Sequence, residues 1–95
     1  MDDELFDWDD ANILHIAEHN VEPEEAEEVI LGNPLELGFE AVDGESRWPY
    51  IGETSQGRIL RVVITLRNER IRVVTAFEPP KTSKLIYLKR KAGEL

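Results

Sequence analysis

The chain has 95 residues, no cysteine and a formal net charge of −9, and its length suffices for one hydrophobic core but not for two. This composition excludes a disulfide framework and a thiolate zinc site, and no apolar run approaches the roughly 18 to 20 residues that span a bilayer. We expect one domain over residues 1–95 and a cytoplasmic protein without a membrane partner, because the first residues are acidic where a secretory signal is basic.

The two parts of the chain carry opposite charge. Residues 1–57 hold seventeen acidic side chains and one basic side chain, whereas residues 58–95 hold ten basic and three acidic ones. An acidic protein surface repels a polyanion such as RNA. A nucleic-acid partner therefore requires that the basic part of the chain be exposed.

Two helices are predicted first. The first spans about residues 10–19, with Asp9 as its N-cap and Asn20 as the left-handed residue that ends it. Its apolar positions recur at helical spacing and are Ile13, Ile16 and Ala17. The second helix begins around Pro23, which suits a first helical position, and ends at Gly32. Its predicted buried stripe consists of Ala26, Val29 and Ile30.

After the second helix the apolar period shifts toward two, which is typical of strands. The four predicted strands cover residues 35–42, 48–53, 58–67 and 70–78. The basic stretch 81–91 is predicted as a helix with Leu85 and Leu88 on one face, or as an extended tail. The sequence thus predicts an α+β fold, with two N-terminal helices followed by a four-stranded antiparallel sheet and a C-terminal helix or tail.

In the last predicted hairpin, successive side chains of each strand point to opposite faces of the sheet. With Asn68 and Glu69 as a two-residue loop, Arg67 lies directly opposite Arg70. The predicted core face consists of Leu60, Val62, Ile64, Leu66, Ile71, Val73, Thr75 and Phe77. The predicted opposite face consists of Arg61, Val63, Thr65, Arg67, Arg70, Arg72, Val74 and Ala76. Four arginines are therefore expected on one face.

Two interpretations of this arginine face remain open. Like charges opposed across a sheet cost about 0.2 to 1 kcal/mol, a cost that an anionic partner would offset. Guanidinium groups bind phosphate through two parallel hydrogen bonds and keep their charge on burial. The alternative is that carboxylates of the acidic part, for instance on the second helix, cover the arginines as internal ion pairs.

Other groups of residues give weaker indications of a functional site. His15 and His19 lie four residues apart on the first helix and could bind a metal ion together with Glu18, but no third ligand follows at a recognised spacing. We predict no metal site and no cofactor. Trp48 and Tyr50 alternate on their strand and are predicted to cover the sheet rather than to stack on nucleobases.

Two blocks of the sequence carry a family pattern. Residues 8–25 read W-D-x-x-N-x-x-H-I-x-x-H-x-V-x-P-E-E. Residues 52–60 read G-x-T-x-x-G-R-x-L, and residues 71–76 read I-R-x-x-T-A. In their order and spacing these blocks resemble the BrnT-like toxins, and the resemblance covers most of residues 6–91.

The resemblance implies a RelE-like ribonuclease toxin of a bacterial type II toxin–antitoxin pair, which cleaves RNA without a metal ion and inhibits translation. Its partners would be RNA and a ribbon-helix-helix antitoxin, with operator DNA bound only through the toxin–antitoxin complex. The implied catalytic residues are His19, Arg58, Arg72 and Tyr87. Of these, the two arginines would hold phosphate, while the histidine or the tyrosine exchanges protons. Together with the arginine face, the predicted phosphate contacts are Arg47, Arg61, Arg67, Arg70, Lys81 and Lys84.

The alternative is a non-catalytic protein-binding module that keeps the toxin fold and has lost ribonuclease activity. Phe77, Ser83 and Asn20 stand where the family usually has a basic residue, a glutamate and a glycine. The net charge of −9 favours the same alternative, because an acidic protein encounters RNA slowly. In such a module the acidic helices contact a basic partner, and the arginines only pair internally.

Overall fold

A computed structural model describes residues 5–93 of the chain. In chain order the elements are α1 (Asp10–Ala17), α2 (Pro23–Leu31), β1 (Leu35–Glu36), β2 (Glu40–Val42), β3 (Glu45–Glu53), β4 (Ile59–Arg67), β5 (Arg70–Phe77) and α3 (Lys81–Lys91). The predicted α+β fold is confirmed, and the C-terminal stretch is a helix. Within the described residues the sheet has five strands rather than the predicted four. A break at residues 37–39, where Gly38 has a φ of 108°, divides the predicted first strand into β1 and β2.

The strands form an antiparallel sheet in the order β1-β3-β4-β5, and β2 pairs with the first part of β3. The β4–β5 turn residues Asn68 and Glu69 have φ values of 55° and 64°, as the predicted two-residue hairpin loop requires. The segment before α1 extends this sheet, because Phe6 forms a parallel bridge with Ile71 of β5. The acidic N-terminal segment consequently lies beside the basic hairpin.

The start of α1 is confirmed at the predicted cap. The Asp9 carboxylate accepts from the backbone N–H of Asn12 at 3.2 Å, and the Asn12 side-chain oxygen accepts from the backbone N–H of Asp9 at 2.8 Å. This reciprocal cap satisfies two donors that the helix cannot. The helix ends at Ala17, earlier than predicted, and Asn20 has the expected left-handed φ of 60°. His19 therefore lies in the turn that leads to α2.

The hydrophobic core lies between the first two helices and one face of the sheet. Its buried side chains include Ile16, Val21, Ala26, Val29, Leu60, Val62, Ile64, Val73 and Ala76. Trp48 and Tyr50 pack against this core, as predicted for sheet-covering residues. The close approach of α2 to β3 depends on Gly52, where an added Cβ would lie 3.0 Å from the Val29 side chain.

A bulge in β5 changes the predicted pairing of the hairpin. From the turn as far as Ile64 and Val73 the strands follow the predicted register. The register then shifts by one residue, so that Val63 pairs with Thr75. The extra residue in β5 is Val74, which matches the two-against-one arrangement of a β-bulge.

Because of the bulge, the residues of β5 beyond it lie on the face opposite to the predicted one. Ala76, predicted on the arginine face, is fully buried in the core. Thr75 and Phe77, predicted in the core, pair with Val63 and Arg61 and therefore lie on the arginine face. The bulge begins beyond the arginines of β5, so the predicted grouping is kept for Arg61, Arg67, Arg70 and Arg72.

The C-terminal helix packs on the arginine-bearing face, near the start of β4. Its buried residue is Tyr87, which is 3% exposed. Leu85 and Leu88, which were predicted to share a helix face, are 53% and 47% exposed. The side of the helix that packs against the sheet is the side that carries Tyr87. None of the helices between residues 5 and 93 is long and apolar enough to cross a membrane.

Candidate anion-binding site

The cationic side chains of the sheet gather at its two ends. The hairpin cluster consists of Asp7, Asp9, Arg67 and Arg72, beside the β4–β5 turn. The junction cluster consists of His19, Arg58, Glu78 and Lys84, where β4 begins and β5 ends. Five of the ten site residues predicted from the sequence lie in these clusters, namely His19, Arg58, Arg67, Arg72 and Lys84.

In the hairpin cluster, Asp9 holds Arg72 through two hydrogen bonds. Nη1 donates to Oδ2 at 3.0 Å, and Nη2 donates to Oδ1 at 3.1 Å. The hydrogen bond from Arg72, followed by that from the Asn12 backbone, lowers the pKa of Asp9 from 3.8 to about 2, because both favour the charged carboxylate. Arg72 is only 14% exposed, and it ties the segment before α1 to β5.

Arg67 is the more accessible arginine of the hairpin cluster. Its Nε donates to Asp7 Oδ2 at 2.9 Å, and its side chain is 49% exposed. Nearby, Arg47 donates to Glu45 at 2.8 Å and is 30% exposed. An open cavity of about 360 Å³ lies between these arginines and α1, and its lining includes Arg47, Arg67, Arg72, Thr65 and His15. Three of the predicted arginines therefore border one open space.

Three further predicted phosphate contacts lie outside both clusters. Arg70 donates from Nη2 to the carbonyl oxygen of Phe6. Arg61 lies 3.6 Å from a Glu40 carboxylate oxygen and lines a mainly apolar groove of about 210 Å³ under α3. Lys81 is exposed and begins α3. These side chains extend the basic surface without joining either cluster.

Arg58 is the centre of the junction cluster. Its Nη1 donates to a Glu25 carboxylate oxygen at 3.0 Å and to the Asn20 carbonyl oxygen at 2.7 Å, and its Nη2 lies 3.6 Å from Glu78. Glu78 also accepts from Nζ of Lys84 at 2.5 Å. The contacts with Lys84 above all, and then those with Arg58, lower the pKa of Glu78. Two cations therefore converge on one carboxylate.

His19 lies at the edge of the junction cluster. Its imidazole ring is 6.0 Å from the ring of Phe77, the residue before Glu78. The residue after it, Asn20, bonds to Arg58 through its carbonyl oxygen. The fold thus brings together three of the predicted site residues, namely His19, Arg58 and Lys84.

The other two residues predicted as catalytic lie apart from this group. Arg72 belongs to the hairpin cluster. Tyr87 is 3% exposed and donates its hydroxyl proton to Glu53 at 3.1 Å. Burial, and then the contact with Glu53, raises the pKa of Tyr87 to about 12. A buried hydroxyl that keeps its proton at neutral pH is poorly suited to proton exchange.

Glu78 is the member of the junction cluster that the sequence did not suggest as functional. It was predicted only as the end of the last strand, yet it bridges Arg58 and Lys84, and its side chain is 48% exposed. One signal was present, because Glu78 is among just three acidic residues in the basic part of the chain. A carboxylate isolated among cations at a strand end is a candidate for a functional group.

The two histidines contact each other rather than a group of carboxylates. Their rings meet edge to face with centroids 5.5 Å apart, and His15 Nε2 lies 3.0 Å from the Thr75 hydroxyl oxygen. In the part of the chain that the structure describes, no three His, Asp or Glu side chains are arranged as a metal-binding group.

An α+β domain that gathers arginine, lysine and histidine at an exposed end of its sheet has the chemistry of a protein that acts on phosphodiesters. The family model described as ribonuclease toxin, BrnT, of type II toxin–antitoxin system matches residues 8–79. The chain therefore belongs to the BrnT family of ribonuclease toxins, and this membership implies an antitoxin partner. A comparison with curated proteins finds no match.

Proposed function

We propose that this chain is an active cytoplasmic toxin that cleaves RNA without a metal ion and thereby inhibits translation. The junction cluster is its catalytic site. The observation that carries this proposal is the convergence of the Arg58 guanidinium and the Lys84 ammonium group on Glu78 at one exposed end of the sheet. The His19 ring lies 6.0 Å from the ring of Phe77, the residue before Glu78.

The chemistry of metal-independent cleavage suits these groups. The 2′-hydroxyl attacks the adjacent phosphorus, and fixed cations have to stabilise the additional negative charge. Arg58 is oriented in advance, because Glu25 and the Asn20 carbonyl hold its Nη1. Lys84 supplies a second positive charge from α3. Imidazole is the side chain best suited to proton exchange near neutral pH, which gives His19 its role.

The hairpin cluster has a different task in this proposal. Arg67 and Arg47 are accessible and border an open cavity, so we assign to them contacts with flanking phosphates of the RNA. Arg72 is engaged with Asp9 and positions this surface. Further along the RNA backbone, the proposed contacts are Arg61, Arg70 and Lys81.

The proposed antitoxin is a ribbon-helix-helix protein. Membership of the family supports an antitoxin, and the type of antitoxin follows from the resemblance in sequence. We propose that operator DNA is bound only by the complex, because a free toxin with a net charge of −9 is repelled by the phosphates of a duplex.

One observation favours the non-catalytic binding module as a second candidate. Arg58, Arg67 and Arg72 each have a carboxylate oxygen at 2.9 to 3.0 Å. A phosphate group has to compete with these carboxylates for the same N–H donors. In a module of this kind the ion pairs only stabilise the fold, and the protein binds its partner without cleaving RNA.

Induced expression separates the two candidates. The proposal predicts that the wild-type chain arrests growth, stops the incorporation of labelled amino acid and fragments mRNA. Coexpression with the reading frame adjacent to its gene should restore growth if that frame encodes the antitoxin. Normal growth with intact RNA would contradict the toxin and support the binding module.

A further inference from the structure

Glu78 differs from the other carboxylates that pair with arginines in the two clusters. Asp9 is fixed as the cap of α1, and Glu25 accepts a backbone N–H in the cap of α2. Glu78 follows the last residue of β5, and its side chain is 48% exposed. Its partners are the ends of two long side chains, those of Arg58 and Lys84. Its ion pairs are therefore open to exchange with an incoming anion.

A phosphodiester that enters the junction cluster competes with Glu78 for both cations. Charge-assisted hydrogen bonds from Arg and Lys form with phosphate as readily as with carboxylate. In the free protein these cations keep the pKa of Glu78 below its usual range, so the carboxylate is ionised and able to accept a proton. When phosphate takes the cations, the carboxylate becomes more basic beside the bound substrate.

Arg58 directs its two terminal nitrogens to different partners. Its Nη1 points to Asn20, the residue after His19, whereas its Nη2 points to Glu78. An in-line displacement at phosphorus places the attacking and leaving oxygens on opposite sides of the phosphorus atom. With Glu78 as the base, an acid has to act from the opposite side of the bound phosphate, and His19, which precedes Asn20, is the candidate.

We infer that Glu78 is a catalytic residue, the general base that accepts the proton of the attacking 2′-hydroxyl. This inference rests on the proposed function. The 2′-oxygen bonds to phosphorus as its proton passes to Glu78. The bond from phosphorus to the 5′-oxygen breaks, and that oxygen takes a proton from protonated His19. The products are a 2′,3′-cyclic phosphate and a 5′-hydroxyl, and water returns the proton from Glu78 to His19.

The test compares Glu78→Gln with Glu40→Gln in the full chain. Glu40 is a matched control, because it is 49% exposed and also lies 3.6 Å from a guanidinium nitrogen, that of Arg61. Single-turnover cleavage of a defined mRNA is followed in a cell-free translation reaction. Glu78→Gln should lower the rate about 100-fold or more, whereas Glu40→Gln should leave it within about twofold. Glu78→Asp should give an intermediate rate, and thermal unfolding checks that each variant folds.

The dependence of the cleavage rate on pH distinguishes a base from a structural contact. The charged partners of Glu78 are Arg58 before β4 and Lys84 on α3. His19, on the turn after α1, has its ring 6.0 Å from that of the preceding residue, Phe77. Arginine and lysine side chains in general keep their charge throughout the acid range. The acid-side loss of rate that comes from protonation of Glu78 should therefore be absent in Glu78→Gln.

Each result decides the matter. Three outcomes would overturn the assignment of Glu78 without contradicting the proposed ribonuclease. They are a cleavage rate for Glu78→Gln within about threefold of wild type, an equal loss of rate in Glu40→Gln, and the same loss of rate at acid pH in Glu78→Gln as in wild type. Intact mRNA with the wild-type protein would overturn both. Cleavage that ends in a 3′-phosphate from the first time point, without a cyclic phosphate, would also contradict this mechanism.

Discussion

The hairpin cluster and the junction cluster both pair cationic side chains with carboxylates, but the carboxylates are held differently. In the hairpin cluster, the Asp9 carboxylate is fixed by the cap of α1, and Asp7 donates its backbone N–H to Ile71 in the extended sheet. In the junction cluster, Glu78 follows the end of a strand and is held mainly by long side chains. The first pairing is part of the fold, whereas the second can be exchanged for a ligand.

This difference shows why counting arginines does not locate a functional site. Arg72 is part of a family pattern and lies on the predicted face, yet its two terminal nitrogens bond to a carboxylate that the backbone holds in place. Arg58 is also paired, but only one of its terminal nitrogens contacts a fixed carboxylate, that of Glu25. We propose that the way in which the partner carboxylate is held distinguishes a structural arginine from one that can receive phosphate.

The largest expected effect is on cleavage and separates the two clusters directly. Arg58→Ala should lower RNA cleavage by about 100- to 1000-fold, because it removes a fixed cation from the developing charge. Arg67→Ala should lower it by no more than about tenfold, since it contacts a flanking phosphate. Single-turnover cleavage of the same mRNA measures both, with circular dichroism as the control for folding. Equal losses would remove the proposed distinction between the clusters.

The next largest effect is on stability, to which the hairpin cluster should contribute more than the junction cluster does. Arg72→Ala should lower the free energy of unfolding by about 1 to 3 kcal/mol, because it removes charge-assisted hydrogen bonds from a mostly buried guanidinium. Lys84→Ala should lower it by less than about 1 kcal/mol, as is usual for an exposed pair. Urea denaturation measures both values. Arg72→Lys should not restore stability, because an ammonium group cannot make the two parallel bonds.

The smallest expected effect is a change in acid stability that comes from Asp9. Its pKa is about 2 in the folded protein, against 3.8 for an unperturbed aspartate, so between these values the unfolded chain binds more protons. Stability from this carboxylate is therefore present above pH 3.8 and is lost as the pH falls toward 2. Asp9→Asn keeps a capping side chain but cannot ionise. The difference in unfolding free energy between wild type and Asp9→Asn should shrink across that range, and a constant difference would contradict the assignment.

Several local features could be predicted from the sequence because nearby residues determine them. The cap at Asp9, the left-handed Asn20 and the two-residue turn at Asn68 and Glu69 depend on short-range hydrogen bonds and backbone preferences. The grouping of the arginines could also be predicted, because strand parity alone assigns their face. The faces on which Thr75, Ala76 and Phe77 lie could not be predicted, because no local sequence pattern indicates the bulge at Val74.

The candidate site was only partly predictable for a related reason. His19, Arg58 and Lys84 were named from the family resemblance and the basic composition. Nothing in their spacing shows that the turn after α1, the start of β4 and α3 meet at one end of the sheet. Glu78 escaped notice because its significance depends on two partners that come from other elements. Arg72 was given more weight than its environment supports, because the sequence does not show that the Asp9 carboxylate occupies both of its terminal nitrogens.

By itself the sequence determined the element types, the charge division of the chain and the face on which its arginines lie, because these depend on periodicity and on neighbours a few residues away. Only the tertiary structure decided which arginine has a fixed carboxylate, which has an exchangeable one and which face Phe77 occupies. Those properties depend on contacts between residues some 20 to 60 positions apart, such as Arg72 with Asp9 and Arg58 with Glu78. The physical reason is that ion-pair geometry is set by the packing of whole elements, which no local pattern encodes.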